Sequence, residues 1–253
     1  MRGVAALARR SVRSDTGRFL VEGPQAVREL IRYAAPSVVD VYVTPDGRAR
    51  HAEIYSAAYA AGCFVHDVTD EVLAAMADAD TPQGMVAVAQ QPVVGLADVL
   101  DGARLLVLLH EVRDPGNLGT VIRGADATGA DAVLVTANSV DAFSPKVIRS
   151  GAGSHFHVPV VSRLDVEATL AALGERGIRT LATQGDAPLA LPDADLTGPH
   201  AWVLGNEAHG LPDAVAAACD ERVAIPIYGA AESLNLAMAA TVCLYASAFA
   251  RRG

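Results

Sequence analysis

Residues 105–128 read LLVLLHEVRDPGNLGTVIRGADAT, and their pattern indicates the fold class. It opens with five consecutive apolar residues, 105–109, which predict a strand that is buried on both faces. A polar loop containing Pro115 and Gly116 follows, and apolar residues then recur at helical spacing over residues 118–128. A buried strand that leads through a loop into a helix is the repeating unit of a parallel α/β sheet.

The same alternation of strands and helices continues towards the end of the chain. Further strands are predicted at residues 132–135, 158–161, 179–182, 201–204 and 222–225. Further helices are predicted at residues 166–175, 213–218 and 235–250. Because ligands of parallel α/β sheets bind beyond the carboxyl ends of the strands, the loops after Leu109, Leu204 and Ile225 are the candidate site loops.

The first half of the chain also alternates and predicts a separate α/β domain. Strands are predicted at residues 19–21, 38–43, 63–65 and 85–89, and helices at residues 24–33, 48–61 and 70–76. Pro, Gly and Asp residues between positions 90 and 103 then predict a linker. The predicted organisation is therefore two domains, residues 1–95 and residues 104–253.

Composition excludes several classes of protein. The 253 residues are 51% hydrophobic and 19% charged, which excludes a disordered or fibrous chain. No apolar run reaches the roughly 18 residues of a membrane helix, and residues 1–20 lack the apolar region of a secretory signal. The three cysteines, Cys63, Cys219 and Cys243, are far apart in sequence. Such sparse cysteines are typical of a reducing cytoplasm and show no metal-binding spacing.

Charge is distributed unevenly along the chain. The formal net charge is −9, which by itself disfavours a nucleic-acid partner. Residues 1–18, however, carry five arginines, at positions 2, 9, 10, 13 and 18, against Asp15 alone. We interpret this segment either as a basic arm that binds phosphates or as an ordinary solvated helix face.

The first candidate loop, residues 110–117, contains one polar residue of interest and leads to another. Asn117 is interpreted either as the N-cap of the following helix or as a polar contact to a ligand. Arg123 lies six residues further on, in an otherwise apolar helix. A guanidinium in such surroundings predicts a carboxylate or phosphate partner.

The second candidate loop sets a polar turn between two glycines. Gly205 and Gly210 allow a ligand to approach the backbone closely, and Glu207 between them is a candidate partner of an arginine. A tight connection between a strand and a helix is the alternative interpretation.

The third candidate loop, residues 225–235, opens the last helix. Ser233 is a candidate N-cap of that helix. Asn235, in the first predicted turn, can point its amide towards a ligand at the helix N-terminus.

Other familiar catalytic patterns are missing from the sequence. There is no GxxxxGK[ST] phosphate-binding loop, and the glycines at residues 151–153 lack the third glycine of a dinucleotide-binding turn. His155 and His157 have no third ligand nearby in sequence, so we expect no metal site.

Together, the three loops resemble the motifs of the SpoU (TrmH-type) family of RNA ribose 2′-O-methyltransferases, within the SPOUT superfamily. The first family motif matches residues 117–123, the second matches residues 204–211, and the third matches residues 225–235, in the family's order. Residues 18–89 are similar to the family's substrate-binding domain, of the ribosomal-protein-like α/β type, mainly through the FLVEG segment at positions 19–23.

The resemblance implies a trefoil knot in the C-terminal SPOUT domain, a homodimer, and S-adenosylmethionine as the cofactor, without a metal. By position, six residues are expected to bind the cofactor, largely through backbone groups: Leu204, Gly205, Asn206, Gly210, Ile225 and Leu234.

The resemblance also implies which residues carry the chemistry: Arg123, Asn117, Glu207, Ser233 and Asn235. Because a guanidinium stays protonated, we expect Arg123 to stabilise the developing alkoxide of the ribose electrostatically. Action of Arg123 as a general base is the alternative. Glu207 is expected to hold Arg123 or one of its partners.

The sequence thus predicts a cytoplasmic enzyme of two α/β domains that methylates a ribose 2′-OH in structured RNA. Ribosomal RNA is favoured over tRNA because the first domain is similar to that of rRNA-directed members of the family. Three alternatives remain open: a tRNA 2′-O-methyltransferase, a non-catalytic RNA-binding module of the same fold, and a small-molecule enzyme with a nucleotide cofactor. The third would need a phosphate-binding glycine pattern, which the sequence lacks.

Overall fold

The computed structural model describes residues 1–251, which form two compact units. The N-terminal unit contains residues 1–93 and 141–157, and the second unit contains residues 94–140 and 158–251. Each unit packs helices on a β-sheet, so the predicted α/β class is confirmed.

The helices and strands are numbered in chain order. The helices are α1 (Arg2–Ala5), α2 (Arg10–Thr16), α3 (Pro24–Ala34), α4 (Pro45–Arg50), α5 (Ala52–Ala60), α6 (Asp70–Met76), α7 (Leu96–Leu100), α8 (Pro115–Thr128), α9 (Pro145–Gly151), α10 (Val166–Glu175), α11 (Asp213–Ala217) and α12 (Leu236–Ala250). The strands are β1 (Arg18–Glu22), β2 (Val38–Val43), β3 (Val65–Asp67), β4 (Met85–Gln90), β5 (Leu105–Leu109), β6 (Ala132–Thr136), β7 (Val160–Leu164), β8 (Arg179–Thr183), β9 (Leu189–Ala190), β10 (His200–Leu204) and β11 (Glu221–Ala224).

The N-terminal unit is built on a four-stranded mixed sheet in the order β1-β4-β2-β3. β4 runs antiparallel to both β1 and β2, whereas β3 runs parallel to β2. Helix α3 covers this sheet with Ala26, Val27, Leu30 and Ile31, all of which are buried. These positions share one face of the helix because they recur at its 3.6-residue period.

Residues 141–157, which include α9, pack in the N-terminal unit although they lie in the second half of the chain. Arg13 donates to the carboxylate of Asp141 at 2.5 Å, and the rings of Phe19 and Phe143 meet edge to face at 5.1 Å. The prediction from sequence assigned these residues to the domain at 104–253. Contacts between residues so distant in sequence leave no local pattern that would have revealed this packing.

The second unit contains a seven-stranded sheet in the order β7-β6-β5-β10-β8-β11-β9. Every neighbouring pair is parallel, as the continuous apolar strands predicted. All five residues of β5 and all five of β10 are buried. β10 lies between β5 and β8, both of which precede it in the chain, so the carboxyl ends of these strands bring distant loops to one edge of the sheet.

The local predictions differ from the structure in several places, among them the linker, one helix and one strand. The predicted linker contains α7, whose Val99 and Leu100 belong to the core of the second unit. The predicted helix at residues 48–61 is two helices, which meet at His51, where the backbone leaves the helical region (φ −130°, ψ 46°). The two-residue strand β9 was not predicted, because it is too short for a hydrophobic period to be visible.

Candidate active site

A cavity of about 490 Å³ opens at the carboxyl edge of the second unit's sheet. The loops after β8, β10 and β11 line it, as expected for a parallel α/β sheet. All six residues predicted to bind a cofactor are among its lining residues: Leu204, Gly205, Asn206, Gly210, Ile225 and Leu234. Three of the predicted catalytic residues line the same cavity: Glu207, Ser233 and Asn235.

The loop after β10 folds back on itself so tightly that it requires a glycine. Asn206 and Gly210 exchange backbone hydrogen bonds of 2.9 and 2.8 Å, which close a small turn. A Cβ on Gly205 would lie 2.2 Å from the carbonyl group of Gly210 and from the backbone nitrogen of Leu211. Gly205 is therefore needed for a close backbone crossing, whereas the sequence alone had suggested close approach of a ligand.

Glu207 holds the loop that follows β5. Its carboxylate accepts hydrogen bonds of 3.1 Å from the backbone N–H groups of Arg113 and Asp114. It also accepts a 3.1 Å hydrogen bond from the Nδ2 atom of Asn117. The carboxylate thereby fixes the entrance to α8 against the cavity.

The two predicted asparagines are joined in one chain of hydrogen bonds. Oδ1 of Asn235 accepts from the backbone N–H groups of Ala237 and Met238, at 2.9 and 3.3 Å, in the first turn of α12. Its Nδ2 atom therefore points outward and donates to Oδ1 of Asn117 at 3.0 Å. This in turn directs Nδ2 of Asn117 to Glu207, so the start of α12 fixes the orientation of both amides.

The same hydrogen bonds keep Glu207 ionised. Burial opposes the charge, but hydrogen bonds from Asn117 and from the backbone of Arg113 and Asp114 outweigh it and hold the pKa of the Glu207 carboxyl below its ordinary value of 4.5. The network is therefore built around a carboxylate at neutral pH.

Arg123 lies apart from this network. It is exposed on α8, six residues beyond Asn117, which corresponds to about 9 Å along the helix. Within residues 1–251, neither Glu207 nor another carboxylate pairs with its guanidinium. Glu207 therefore does not hold Arg123 directly, because backbone N–H groups and Asn117 occupy that carboxylate. The other expectation, that Glu207 holds a partner of Arg123, stays a prediction.

The caps of the two site helices also differ from the interpretations given above. Asp114 caps α8, and its side chain accepts from the backbone nitrogen of Asn117 at 2.7 Å. Asn235, and not Ser233, caps α12. Asn117 therefore lies inside its helix, and its amide is available to the hydrogen-bond network.

One stretch that lines the cavity was not among the predicted site loops: Thr183, Gln184 and Gly185. Thr183 ends β8, which was predicted nearly to its observed ends, and the other two follow it directly. Ligands of parallel α/β sheets bind beyond the carboxyl ends of the strands, and this applies to the end of β8 as it does to the other loops. The position of this loop in the sequence could therefore have predicted it as part of the site.

Arg13 of the predicted basic arm, and Arg149 of α9, are both held by partners inside the N-terminal unit. Arg13 is 3% exposed and donates to the carbonyl groups of Leu7 and Ala8 in addition to Asp141. Arg149 pairs with Glu22 and Asp78. The other arginines of the predicted basic arm, at positions 2, 9, 10 and 18, are exposed.

Residues 1–251 contain no group of three or more His, Cys, Asp or Glu side chains arranged to hold a metal ion. In the same residues, no helix combines the length and apolarity that a bilayer span requires. His155 is buried and donates or accepts through Nε2 at the carbonyl oxygen of Ala142, 3.0 Å away. Burial lowers its pKa to about 4 despite that bond, so the ring is neutral.

Fold and site together define a class: a parallel α/β ligand-binding unit with its cavity at the carboxyl ends of the strands, joined to a smaller mixed α/β unit. Comparison with known families identifies the class further. Residues 104–245 match the SpoU rRNA Methylase family, and residues 1–87 match the MRM3-like substrate binding domain. The chain belongs to the SpoU family, which confirms the resemblance seen in its motifs.

Individual relatives agree with this assignment over nearly the whole chain. The chain is 35% identical over 236 residues to the 23S rRNA (guanosine(2553)-2′-O)-methyltransferase RlmP of Bacillus subtilis, covering 92% of this chain and 89% of the relative. It is 34% identical to the 23S rRNA (guanosine-2′-O-)-methyltransferase RlmB of Bordetella pertussis, with 92% and 98% covered. Among solved structures, the SpoU methyltransferase AviRb of Streptomyces viridochromogenes in complex with AdoMet superimposes with a TM-score of 0.87 at 29% identity, covering 100% of this chain and 97% of that one.

Proposed function

We propose that this protein transfers a methyl group from S-adenosylmethionine to a ribose 2′-OH of ribosomal RNA. The observation that carries the proposal is the cavity at the carboxyl edge of the parallel sheet, which the second and third motif loops line. Hydrogen bonds from Asn117 to Glu207 and from Asn235 to Asn117 join the start of the first motif to it. The named relatives with full-length similarity methylate guanosine riboses of 23S rRNA. Ribosomal RNA is therefore favoured over tRNA.

The residues of the cavity fit the cofactor. S-adenosylmethionine combines the flat aromatic faces of adenine with polar groups, and the walls offer the apolar side chains of Leu204, Ile225 and Leu234 beside polar residues such as Asn206 and Asn235. The volume of about 490 Å³ lies within the range of roughly 300–1,000 Å³ that is usual for small-molecule sites. When bound, the cofactor supplies a methyl group already activated on a sulfonium.

The chain's own residues must then make a ribose hydroxyl reactive. This hydroxyl loses its proton as it attacks, so negative charge develops on its oxygen. Arg123 is exposed and free of a carboxylate partner within residues 1–251, so its positive charge is available to stabilise that oxygen. Glu207, Asn117 and Asn235 position the α8 entrance, and the proposed role of Ser233, which is exposed in the cavity lining, is to contact the substrate. General base action by Arg123 is the alternative role.

The fold proposed for the second unit is the trefoil-knotted SPOUT domain of the family. The position of β10 between two strands formed earlier in the chain supports this proposal.

We further propose a homodimer that forms through α12. Met238, Val242, Tyr245 and Phe249 recur at intervals of four and three residues and are all exposed, with Phe249 at 69%. This spacing places them in one apolar stripe along the helix. An exposed apolar stripe of this length is typical of a protein interface.

The roles that we propose for the two domains follow the two family matches. Residues 1–95 act as the RNA substrate-binding domain and residues 104–253 as the methyltransferase domain, although residues 141–157 of the second segment pack in the N-terminal unit. The cytoplasm is the proposed location, supported by three free cysteines.

The proposal is tested by incubating the purified protein with labelled S-adenosylmethionine and, separately, with rRNA and tRNA from cells that lack the gene. Label in the large rRNA supports it. Label in tRNA alone would establish the tRNA alternative, and cofactor binding without transfer to either RNA would support the non-catalytic RNA-binding module.

A further inference from the structure

A second cavity lies within the N-terminal unit and shares no residue with the cavity of the methyltransferase unit. It opens between the start of α3 and the loop that leads into β4, beside α9. Its volume of about 270 Å³ is slightly below the range of roughly 300–1,000 Å³ for drug-sized ligands. The space therefore suits a single planar ring system better than a whole cofactor.

A buried carboxylate makes one side of this cavity rigid. Glu22 is 7% exposed, and its carboxylate accepts from the backbone N–H groups of Asp78 and Ala79 and from Arg149. Arg149 also donates to Asp78 at 3.0 Å. The guanidinium plane of Arg149 is thus held at the cavity by two carboxylates that balance its charge.

The opening of the cavity carries polar side chains that face solvent. Gln25, Thr81 and Gln83 are exposed there, and each amide offers both donors and acceptors. A Cβ on Gly23 would lie 3.7 Å from Oε1 of Gln83, so Gln83 lies over the start of α3. The deeper lining is mostly apolar: Ala26, Ala79, Pro82, Met85 and Val86.

The charges at the cavity disfavour a phosphate. Among its lining residues within 1–251, Arg149 is the one cation, and Glu22 and Asp78 already neutralise it. A neutral planar group with hydrogen-bonding edges fits better. Its flat faces can pack against the apolar lining and the guanidinium plane of Arg149, and its edge can form hydrogen bonds with the amides of Gln25 and Gln83. Unpaired RNA bases are recognised in this way, by stacking on arginine planes and by hydrogen bonds along the base edge.

We propose that this cavity binds one unpaired nucleobase of the RNA substrate. Gln25 and Gln83 bond the edge of the base, and the guanidinium of Arg149 lies against its face. The proposal rests on the proposed function for the identity of the ligand as RNA. It adds a specificity site in the N-terminal unit, separate from the nucleotide that receives the methyl group.

Affinity for RNA provides the first test. Gln25 and Gln83 are both exposed, and a double variant carries Gln25→Ala and Gln83→Ala together. The affinity of this variant and of the wild type for rRNA from cells that lack the gene is measured by filter retention. Loss of two amide hydrogen bonds predicts roughly tenfold weaker binding. Affinity for S-adenosylmethionine should not change. Gln90→Ala is the matched control, because Gln90 is an exposed glutamine at the far end of β4, outside the cavity lining.

Photochemical crosslinking provides the second test and does not depend on activity. With p-benzoylphenylalanine at position 83, irradiation with total cellular RNA should attach the protein at one nucleotide position. Ala79→Leu, which fills the cavity, should remove that crosslink. The same photoreactive residue at position 90 should give no crosslink at that nucleotide.

The outcomes separate this proposal from the proposed function. If the protein methylates rRNA, while the double variant binds as tightly as the wild type and no single crosslink forms, the cavity proposal is overturned alone. If the wild type transfers no methyl group but the Ala79-sensitive crosslink forms, the proposed function fails and the cavity proposal stands. If neither transfer nor crosslink is seen, both are wrong.

Discussion

Arg123 is the residue on which the proposed chemistry depends most. It is exposed on α8 and lies outside the lining of the cofactor cavity, so its removal should affect the reaction more than cofactor binding. We expect Arg123→Ala to lower the rate of methyl transfer by about 100-fold or more, the usual cost of removing an electrostatic stabiliser. Cofactor affinity, measured by calorimetry, should be unchanged. Arg222→Ala, at another exposed arginine, serves as the control, and transfer that survives Arg123→Ala would refute the role.

The ionisation of Glu207 predicts how cofactor affinity depends on pH. Because its pKa in the folded protein lies below the ordinary 4.5, the carboxylate's contribution is present above that value and is lost as the pH falls through the lowered pKa. Cofactor affinity of the wild type should therefore stay level between about pH 8 and pH 5 and fall below about pH 4.5.

The variant Glu207→Gln tests whether protonation of Glu207 causes the loss of cofactor affinity at acid pH. It should bind the cofactor weakly at every pH, without the acid step, because an amide cannot accept all three hydrogen bonds. Glu232→Gln, at another carboxylate lining the cavity, should retain the acid step of the wild type. An acid step that persisted in Glu207→Gln would mean that a different group titrates.

At the residue scale, the sequence located the site better than it assigned the hydrogen-bond partners. All six predicted cofactor residues line one cavity, because the motifs follow strand ends that a parallel sheet must bring together. The partners of Glu207 could not be predicted, because two of them are backbone N–H groups and carry no sequence signal. Asp114 and Asn117 are both good N-cap residues three positions apart, and only the backbone distinguishes them.

At the scale of elements, the loop after β10 should tolerate no side chain at its first glycine. In Gly205→Ala, the new Cβ would lie 2.2 Å from backbone atoms that cannot move without opening the turn. We expect at least tenfold weaker cofactor binding by calorimetry and a loss of stability above about 1 kcal/mol by denaturant unfolding. Gly229→Ala is the matched control, because a Cβ there meets nothing within 4 Å. Wild-type affinity in Gly205→Ala would show that the crossing is looser than described.

Elements with a strong hydrophobic period were predicted well. The strand Leu105–Leu109 and the helices Asp70–Met76 and Val166–Glu175 were predicted with the bounds the structure has. α9 was missed because the aliphatic residues between its caps Ser144 and Ala152 are the adjacent pair Val147 and Ile148, which shows no helical period. Its packing in the N-terminal unit depends on tertiary contacts such as that between Arg13 and Asp141.

At the scale of the whole molecule, the stripe on α12 predicts the state of assembly. Phe249→Glu places a charge in the proposed apolar interface, and burial of an unpaired charge is costly. Light scattering should show a dimer for the wild type and a monomer for this variant, with loss of transfer activity. Ala127→Glu, at an exposed position of α8, is the control. A monomeric wild type that retains full activity would refute the dimer.

The proposed binding of RNA phosphates by the basic arm, residues 1–18, is also a property of the whole molecule. The structure shows which of its arginines can be replaced without damage to the fold. Deleting residues 1–18 would remove the buried Leu7 and the ion pair of Arg13 with Asp141, and would therefore damage the N-terminal unit. Replacing only Arg2, Arg9, Arg10 and Arg18 by Gln keeps these interactions. We expect weaker rRNA binding and a shallower dependence of affinity on salt. The slope of log K against log[salt] should become less negative by up to roughly 0.7 to 0.9 for each phosphate that the arm no longer neutralises. An unchanged slope would exclude the arm from phosphate binding.

The chemical position of the transferred methyl group tests the central claim most directly. RNA labelled by the protein with labelled S-adenosylmethionine is digested with alkali, which cannot cleave a linkage whose 2′-OH is methylated. We predict that the label from large rRNA is recovered in an alkali-resistant dinucleotide. Recovery of the label in ordinary mononucleotides would place the methyl group on a base and would contradict the account.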